Sequence, residues 1–146
     1  VFGETGELFS SFQAEKKDKE PNYDAYIICL DTDRQLLYER INLRVDLMMK
    51  EGLLEEAREL WEKLGPEPEA QSTKGIGYSE FFPYFNGEIA IEEAIEQVKQ
   101  NSRRYAKRQL TWFRNRLDNV HWYDFVKKPE DMEHCLDEIK SFLEDE

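Results

Sequence analysis

The chain has 146 residues, of which 32 are acidic and 20 are basic, so its formal net charge is −12 and its pI lies near 4.7. This length predicts a single domain, and an apolar share of 40% with 13% aromatic residues excludes a disordered acidic chain. No apolar run is long enough to span a membrane, and the first residues lack a signal-peptide pattern. The two cysteines, Cys29 and Cys135, lie far apart in the sequence, so we expect buried thiols in a cytoplasmic protein and no zinc site.

The first elements in chain order are a charged linker and a short strand. Residues 1–13 are typical of a helix end followed by a loop, and residues 15–21 predict a mobile charged linker. The apolar run over residues 26–30 predicts a strand that is buried on both faces. Only Val120–Tyr123 is a second strand candidate, so the strand lacks neighbours, which suggests that part of the fold lies outside this chain.

Two amphipathic helices are predicted after the strand. Asp31, Thr32 and Asp33 follow the strand and supply an N-cap for the first helix, and Gly52 predicts its end. Its apolar residues recur at helical spacing: Leu37, Ile41, Val45 and Met48. The second covers residues 54–64 and ends at Gly65. Residues 75–84 then predict an aromatic-rich helix or irregular turn, followed by a turn at Asn86-Gly87.

The longest predicted helix carries an apolar stripe on one side. Ile91, Val98, Tyr105 and Trp112 recur every seven residues and, joined by Ile95, Ala106 and Phe113, predict a stripe that faces the core. A last amphipathic helix over residues 132–142 closes the chain.

The same helix concentrates positive charge. Residues 97–117 carry seven basic side chains and no acid, a charge of +7, whereas the rest of the chain has 13 basic and 32 acidic residues, a charge of −19. Helical spacing places Arg103, Lys107 and Arg114 together, opposite the stripe, with Arg104, Arg108 and Thr111 beside them. Arg116 is the exception and falls on the apolar side. We interpret this face as a phosphate-binding surface, and a merely solvated helix face is the alternative.

The usual catalytic motifs are missing from the sequence. It contains no GxxxxGK[ST] phosphate loop and no GxSxG motif, and His121 and His134 stand alone, so we expect each histidine to be structural or exposed. The residues by themselves predict a mainly α fold with one or two short strands and a phosphate-attracting helix, and they name no reaction.

The basic helix also carries a specific motif. The run RRYAKRQLTWFR over residues 103–114 closely resembles the RxxAKRQxTWxR signature of the tRNA dimethylallyltransferase (tRNA isopentenyltransferase) family. Other segments resemble the family in the same order: residues 1–6, residues 26–31, Arg34 to Arg44, Gly52-Leu53 with Glu56, Ile76-Gly77-Tyr78 for IGYxE, residues 84–87 for YLxG, and residues 120–124 for V-x-W-x-D.

This resemblance implies that residues 1–146 are the C-terminal portion of a P-loop-type α/β prenyltransferase, with helical tRNA-binding segments. The family transfers a dimethylallyl group from dimethylallyl diphosphate to the exocyclic amine of the adenosine beside the tRNA anticodon, with Mg²⁺ held mainly by an N-terminal half. That half carries the phosphate loop and the carboxylate that deprotonates the nucleophile, and this chain lacks it. We therefore expect no catalysis from the chain alone, a monomer in the full-length enzyme, and association of the fragment through any apolar face left uncovered.

The resemblance also assigns residues. Arg44 matches the arginine assigned to the diphosphate, where it stabilises the departing negative charge. The predicted diphosphate-binding or tRNA-binding side chains lie on the basic helix: Arg104, Lys107, Arg108, Gln109, Thr111 and Arg114. We place Trp112 and Phe113 in the core, with base stacking as the alternative for an exposed aromatic ring.

Two positions depart from the family pattern. Ser79 stands where the family usually has Lys or Arg, which weakens the expectation of a phosphate contact there, and Pro83 predicts a different local helix geometry. Two further hypotheses remain open, a stand-alone helical RNA-binding domain and an acidic helical protein-interaction domain. A GxxxxGK[ST] motif encoded upstream in the same reading frame distinguishes the enzyme from both.

Overall fold

The computed structural model describes residues 24–65 and 75–144, and most of them lie in helices. The elements in chain order are β1 (Ile27–Leu30), α1 (Arg34–Lys50), α2 (Leu53–Leu64), one 3₁₀ turn (Ser79–Phe81), α3 (Phe82–Phe85), α4 (Ile91–Arg116), β2 (Val120–Tyr123) and α5 (Asp131–Glu144). The prediction of a mainly α fold with one or two short strands is confirmed. The predicted helix end over residues 1–13 and the charged linker over residues 15–21 lie outside the described residues. None of the described helices has the length and apolar character needed to cross a membrane.

The boundaries of the first two helices follow from their capping residues. The Asp33 carboxylate accepts hydrogen bonds from the backbone N–H groups of Gln35 and Leu36, at 3.0 and 3.3 Å, which satisfies free donors at the start of α1. Gly52 adopts a φ of +106° between α1 and α2, a conformation that favours glycine. Of the three residues predicted to supply the N-cap, Asp33 does so, and the predicted helix end at Gly52 is confirmed.

The core lies where α1, α2, the 3₁₀ turn and the first half of α4 meet. Its buried residues come from all four elements: Val45, Leu53, Ala57, Phe81, Ala94 and Val98. Phe81 and Val98 are the largest side chains that are fully buried among the described residues. This core fixes the position of α1 relative to α4, the two helices that carry the predicted site residues.

The two strands form a parallel pair in the described part of the chain. Ile27 lies opposite Val120 and Leu30 lies opposite Tyr123. Cys29 is buried, but Ile28 and Leu30 are 37% and 59% exposed. The prediction that β1 is buried on both faces is therefore wrong for the described residues, because a single partner strand and one helix cover only part of the sheet.

Helix α5 is attached to the sheet by two tyrosines. The Tyr26 hydroxyl donates to Glu138 Oε2 at 2.9 Å, and the Tyr123 hydroxyl donates to the same oxygen. These hydrogen bonds, that of Tyr123 foremost, lower the pKa of Glu138, and burial raises the pKa of Tyr123.

The cysteines and histidines near this contact are where the sequence predicted them. Cys29 and Cys135 are buried free thiols. His121 stacks on the Tyr26 ring with a centroid distance of 4.0 Å, and His134 is an exposed side chain beside Glu138. The expectation that each histidine is structural or exposed is confirmed.

Helix α4 changes its packing side along its length. Ala94 and Val98 are buried in its first half, whereas Ala106, Leu110 and Phe113 face the β1–α1 junction in its second half. From Val98 to Ala106 the contact side turns by about 80° around the helix axis, because each residue advances by about 100°.

That rotation makes one prediction wrong. Tyr105 and Trp112 were expected to face the core, but they are 49% and 54% exposed. A strict seven-residue repeat does not mark the inner side of α4 along its whole length, because that side faces the core in the first half of the helix and the β1–α1 junction in the second half. The exposed Trp112 lies on the same side of α4 as several of the predicted cations.

Candidate functional site

A basic groove runs along the outer side of the second half of α4. It is an open concavity of about 510 Å³ formed by side chains of α4 alone: Arg104, Lys107, Arg108, Thr111, Trp112, Asn115 and Arg116. The lining includes four cations and no carboxylate. None of these four cations forms an ion pair with a carboxylate of the described residues. The groove is therefore an electropositive surface whose charges are free to contact an anionic ligand.

A second concave surface, which we call the cleft, lies between α1 and α4. It has a volume of about 790 Å³, and the Gly75–Gly77 turn forms part of its wall. Arg44 from α1 and Arg108 and Gln109 from α4 line it together. Arg108 also lines the basic groove, so the two surfaces share one guanidinium group. Two arginines in one cleft provide the planar, permanently charged donors that bind phosphate oxygens best.

Glu80 holds the wall of the cleft in place. It is 6% exposed, and its two oxygens accept hydrogen bonds from the backbone N–H of Gly77 at 2.9 Å and from Asn101 Nδ2 of α4 at 2.8 Å. Gly77 has a φ of +107°, so the turn needs glycine at this position. The buried carboxylate thus ties the Gly75–Gly77 turn to the long helix.

Two arginines of the predicted basic face lie away from both surfaces. Arg114 donates to the Asp31 carboxylate at the end of β1 and lies 5.4 Å from the centre of the Trp122 ring. Arg103 is half-buried and donates to Asn42 on α1 at 2.6 Å and to Glu96 at 2.8 Å. Both guanidinium groups therefore connect α4 to the rest of the fold.

The two polar residues of the motif are partly engaged within α4. Gln109 Nε2 donates to the Tyr105 hydroxyl at 3.2 Å, which leaves the Gln109 carbonyl oxygen available in the cleft. The Thr111 hydroxyl donates to the Lys107 carbonyl at 2.9 Å and keeps only acceptor capacity toward the groove.

The two departures from the family pattern are local. The Ser79 hydroxyl donates to Glu80 Oε2 at 3.4 Å, and Pro83 occupies the first turn of the short helix α3, where proline is tolerated.

Sequence reasoning missed three residues of the groove and the buried carboxylate. Trp112 and Arg116 were assigned to the apolar side of α4, and Asn115 and Glu80 were not singled out. The signal that identifies the first two is the apolar series Ala106, Leu110 and Phe113, whose spacing marks the true inner side of this half of α4.

Comparisons with known proteins give a consistent result. Residues 1–116 match the model of the family described as IPP transferase. A protein named tRNA dimethylallyltransferase from Enterococcus faecalis is 52% identical over 144 residues, and one of the same name from Latilactobacillus sakei is 52% identical over 145 residues. In each case 99% of this chain aligns with 44% of the relative, so the chain spans less than half the length of these relatives.

Solved structures agree with these relatives. The crystal structure of a tRNA delta(2)-isopentenylpyrophosphate transferase from Staphylococcus epidermidis superposes with a TM-score of 0.75 and 40% identity, over 99% of this chain and 46% of that one. A full-length tRNA isopentenylpyrophosphate transferase from Bacillus halodurans gives a TM-score of 0.70 and 41% identity, over 94% of this chain and 46% of that one.

Proposed function

Since the chain belongs to the IPP transferase family, we propose that it forms the C-terminal part of an enzyme that transfers a dimethylallyl group to tRNA. The resemblance seen in the basic helix is confirmed by relatives named tRNA dimethylallyltransferase. The proposed acceptor is the exocyclic amine of the adenosine beside the anticodon, and the proposed donor is dimethylallyl diphosphate. Because tRNA is the proposed substrate, we also propose a cytoplasmic location.

The observation that carries this proposal is the meeting of three motif segments at the cleft. Arg44, Arg108 and the Gly75–Gly77 turn are far apart in sequence, yet they line the same cavity. The shared arginine connects that cavity to the basic groove. We propose that the cleft faces the diphosphate and that the groove takes the RNA backbone.

The proposed chemistry explains why arginines are needed. The amine nitrogen attacks the first carbon of the dimethylallyl group, the carbon–oxygen bond to the diphosphate breaks, and the diphosphate leaves with the electron pair. The attacking nitrogen gives up one proton, which we propose goes to a base outside this chain. Negative charge grows on the bridging oxygen during this step. Arg44 and Arg108, which line one cleft, stabilise that charge as it develops, which lowers the barrier more than it strengthens substrate binding.

The residues of this chain do not form a metal site in the part that the structure describes. Nowhere among residues 24–65 and 75–144 do three His, Cys, Asp or Glu side chains come close enough to hold a metal ion. We propose that Mg²⁺, which would assist departure of the diphosphate, is held mainly by residues outside this chain.

The sheet supports the proposal that a further half completes the fold. In the part of the chain that the structure describes, β1 and β2 form a parallel pair, and parallel sheets are normally covered on both faces. Ile28, Leu30 and Trp122 remain 37–59% exposed. We propose that an N-terminal half with a GxxxxGK[ST] motif extends this sheet and covers these side chains. We also propose that the complete enzyme is a monomer.

The test replaces the cleft arginine in the intact protein that carries this chain. We expect Arg44→Ala to lower kcat for tRNA modification by on the order of 10²-fold, the usual effect of losing one charge-stabilising donor. Modified adenosine is measured by mass spectrometry of digested tRNA. Arg44→Lys restores part of the activity because it keeps the charge without the planar donor pair.

The matched control is Lys50→Ala, which removes an exposed cation from the last turn of the same helix. It should leave kcat unchanged. Equal turnover in Arg44→Ala and the native protein would show that the cleft does not bind the diphosphate.

A further inference from the structure

We infer that Trp112 is a stacking platform for an unpaired nucleobase, so that the groove recognises single-stranded RNA loops over duplex. This inference rests on the proposed function, because it specifies how the groove would take its RNA. The sequence pattern placed this indole in the core, whereas the structure places it in the wall of the basic groove.

The first observation is the exposure and support of the ring. Trp112 is 54% exposed, which is high for the largest apolar side chain. Its ring contacts Phe113 edge-on, with centroids 5.6 Å apart and an interplanar angle of 78°. Because Phe113 holds the indole from the side, the ring is partly fixed before a ligand arrives, which lowers the entropy cost of stacking.

The second observation is the arrangement of charge around the ring. Arg108 and Arg116 lie one turn before and one turn after Trp112, about 6 Å away along the axis of α4 in each direction. A base stacked on the indole therefore has a cation near the backbone on both its sides. Lys107 and Arg104 extend the same electropositive surface.

These two features together select the kind of nucleic acid. Cations alone attract any polyanion, duplex included. An indole face adds affinity only for a base that is not stacked within a helix, and such bases occur in loops, bulges and single strands. The groove therefore fits an RNA loop best.

The experiment compares loop with duplex binding by the intact protein that carries this chain. The probes are an RNA hairpin with an anticodon-type loop and a blunt duplex of the same stem, each followed by fluorescence anisotropy. Trp112→Ala should weaken hairpin binding by about 5- to 150-fold, the range for one lost base–aromatic stack. Duplex binding should stay the same. Trp112→Phe keeps a ring and should retain most of the affinity.

The matched control is Trp61→Phe on α2, which changes a tryptophan outside the groove and should not alter binding.

The salt dependence of binding by the native protein separates the RNA-binding part of the proposed function from the stacking inference. If the native protein binds neither RNA in a salt-dependent way, the RNA-binding part of the proposed function fails, and stacking with it. If the native protein binds the hairpin but Trp112→Ala binds it equally well, only the stacking inference is overturned. Equal losses for hairpin and duplex would also overturn it, because they indicate general disruption of the groove.

Discussion

The buried carboxylate of Glu80 offers the sharpest test of how the site is held together. Glu80→Ala removes the acceptor for the Gly77 backbone N–H and for Asn101 Nδ2, at 2.9 and 2.8 Å. A hydrogen bond to a charged group contributes about 1.5–3 kcal/mol, so the loss of two predicts a decrease of about 3–6 kcal/mol in the free energy of unfolding. The Gly77 N–H then stays buried without this partner and the partly buried Asn101 amide loses its acceptor, which is why the cost is large for a single substitution.

A second substitution at the same position separates hydrogen bonding from packing. Glu80→Gln keeps the volume and one acceptor oxygen, but its amide nitrogen then faces another donor. We expect about half the loss seen for Glu80→Ala. The measurement is urea unfolding followed by circular dichroism, with the intact protein that carries this chain.

The control for Glu80 is Glu88→Ala, because Glu88 is an exposed glutamate that accepts a hydrogen bond from Asn86. Its effect should stay within about 0.5 kcal/mol. A cost below about 1 kcal/mol for Glu80→Ala would refute the reasoning, since it would mean that neither donor depends on this carboxylate. The Gly75–Gly77 wall of the cleft would then be held by other contacts.

Two further predictions concern pH and the division of labour between neighbouring arginines. Hydrogen bonds from Tyr123 and Tyr26 lower the pKa of Glu138 from its ordinary 4.5, so this carboxylate stabilises the fold above that pH and its contribution is lost as the pH falls through the lowered pKa. In the native protein the melting temperature should fall as the pH drops below 4.5, and in Glu138→Gln it should fall with a shallower slope. Identical slopes in the two proteins would contradict the stabilising role of the Glu138 carboxylate. Arg103→Ala should cost about 1–3 kcal/mol of stability without changing the salt dependence of RNA binding, because its guanidinium bonds Asn42 and Glu96. Arg104→Ala should leave stability unchanged and reduce the slope of the logarithm of the RNA-binding constant against the logarithm of the salt concentration by about 0.7. A salt slope that changes in Arg103→Ala but not in Arg104→Ala would show that the groove does not bind the RNA backbone.

Local signals in the sequence determined most of the secondary structure. Asp33 caps α1, Gly52 and Gly65 limit α2, and the apolar run before Asp31 forms β1. These features depend on contacts between residues that are close in the chain, so a cap or a positive φ can be predicted without knowing the fold. The family resemblance likewise depends on short motifs, and the comparisons confirm it.

The inner side of α4 required the tertiary structure. The seven-residue repeat from Ile91 to Trp112 is real, but in the second half of α4 the half-buried Leu110 and Phe113 face the β1–α1 junction, where they line a cavity. Because two successive partners lie at different angles around the helix, no single period describes both. The exposure of Trp112 follows from this change of partner and was missed for the same reason.

The sequence by itself determined that a +7 segment exists within an acidic chain, but it did not determine which of its cations are free. That depends on groups brought close by the fold: Arg114 pairs with Asp31, Arg103 with Asn42 and Lys99 with Asp46. The cations that remain, with Arg44 from a distant helix, form the groove and the cleft. Charge is a property of composition, whereas the availability of a charge depends on distances between residues far apart in the chain, and only the tertiary structure decides those.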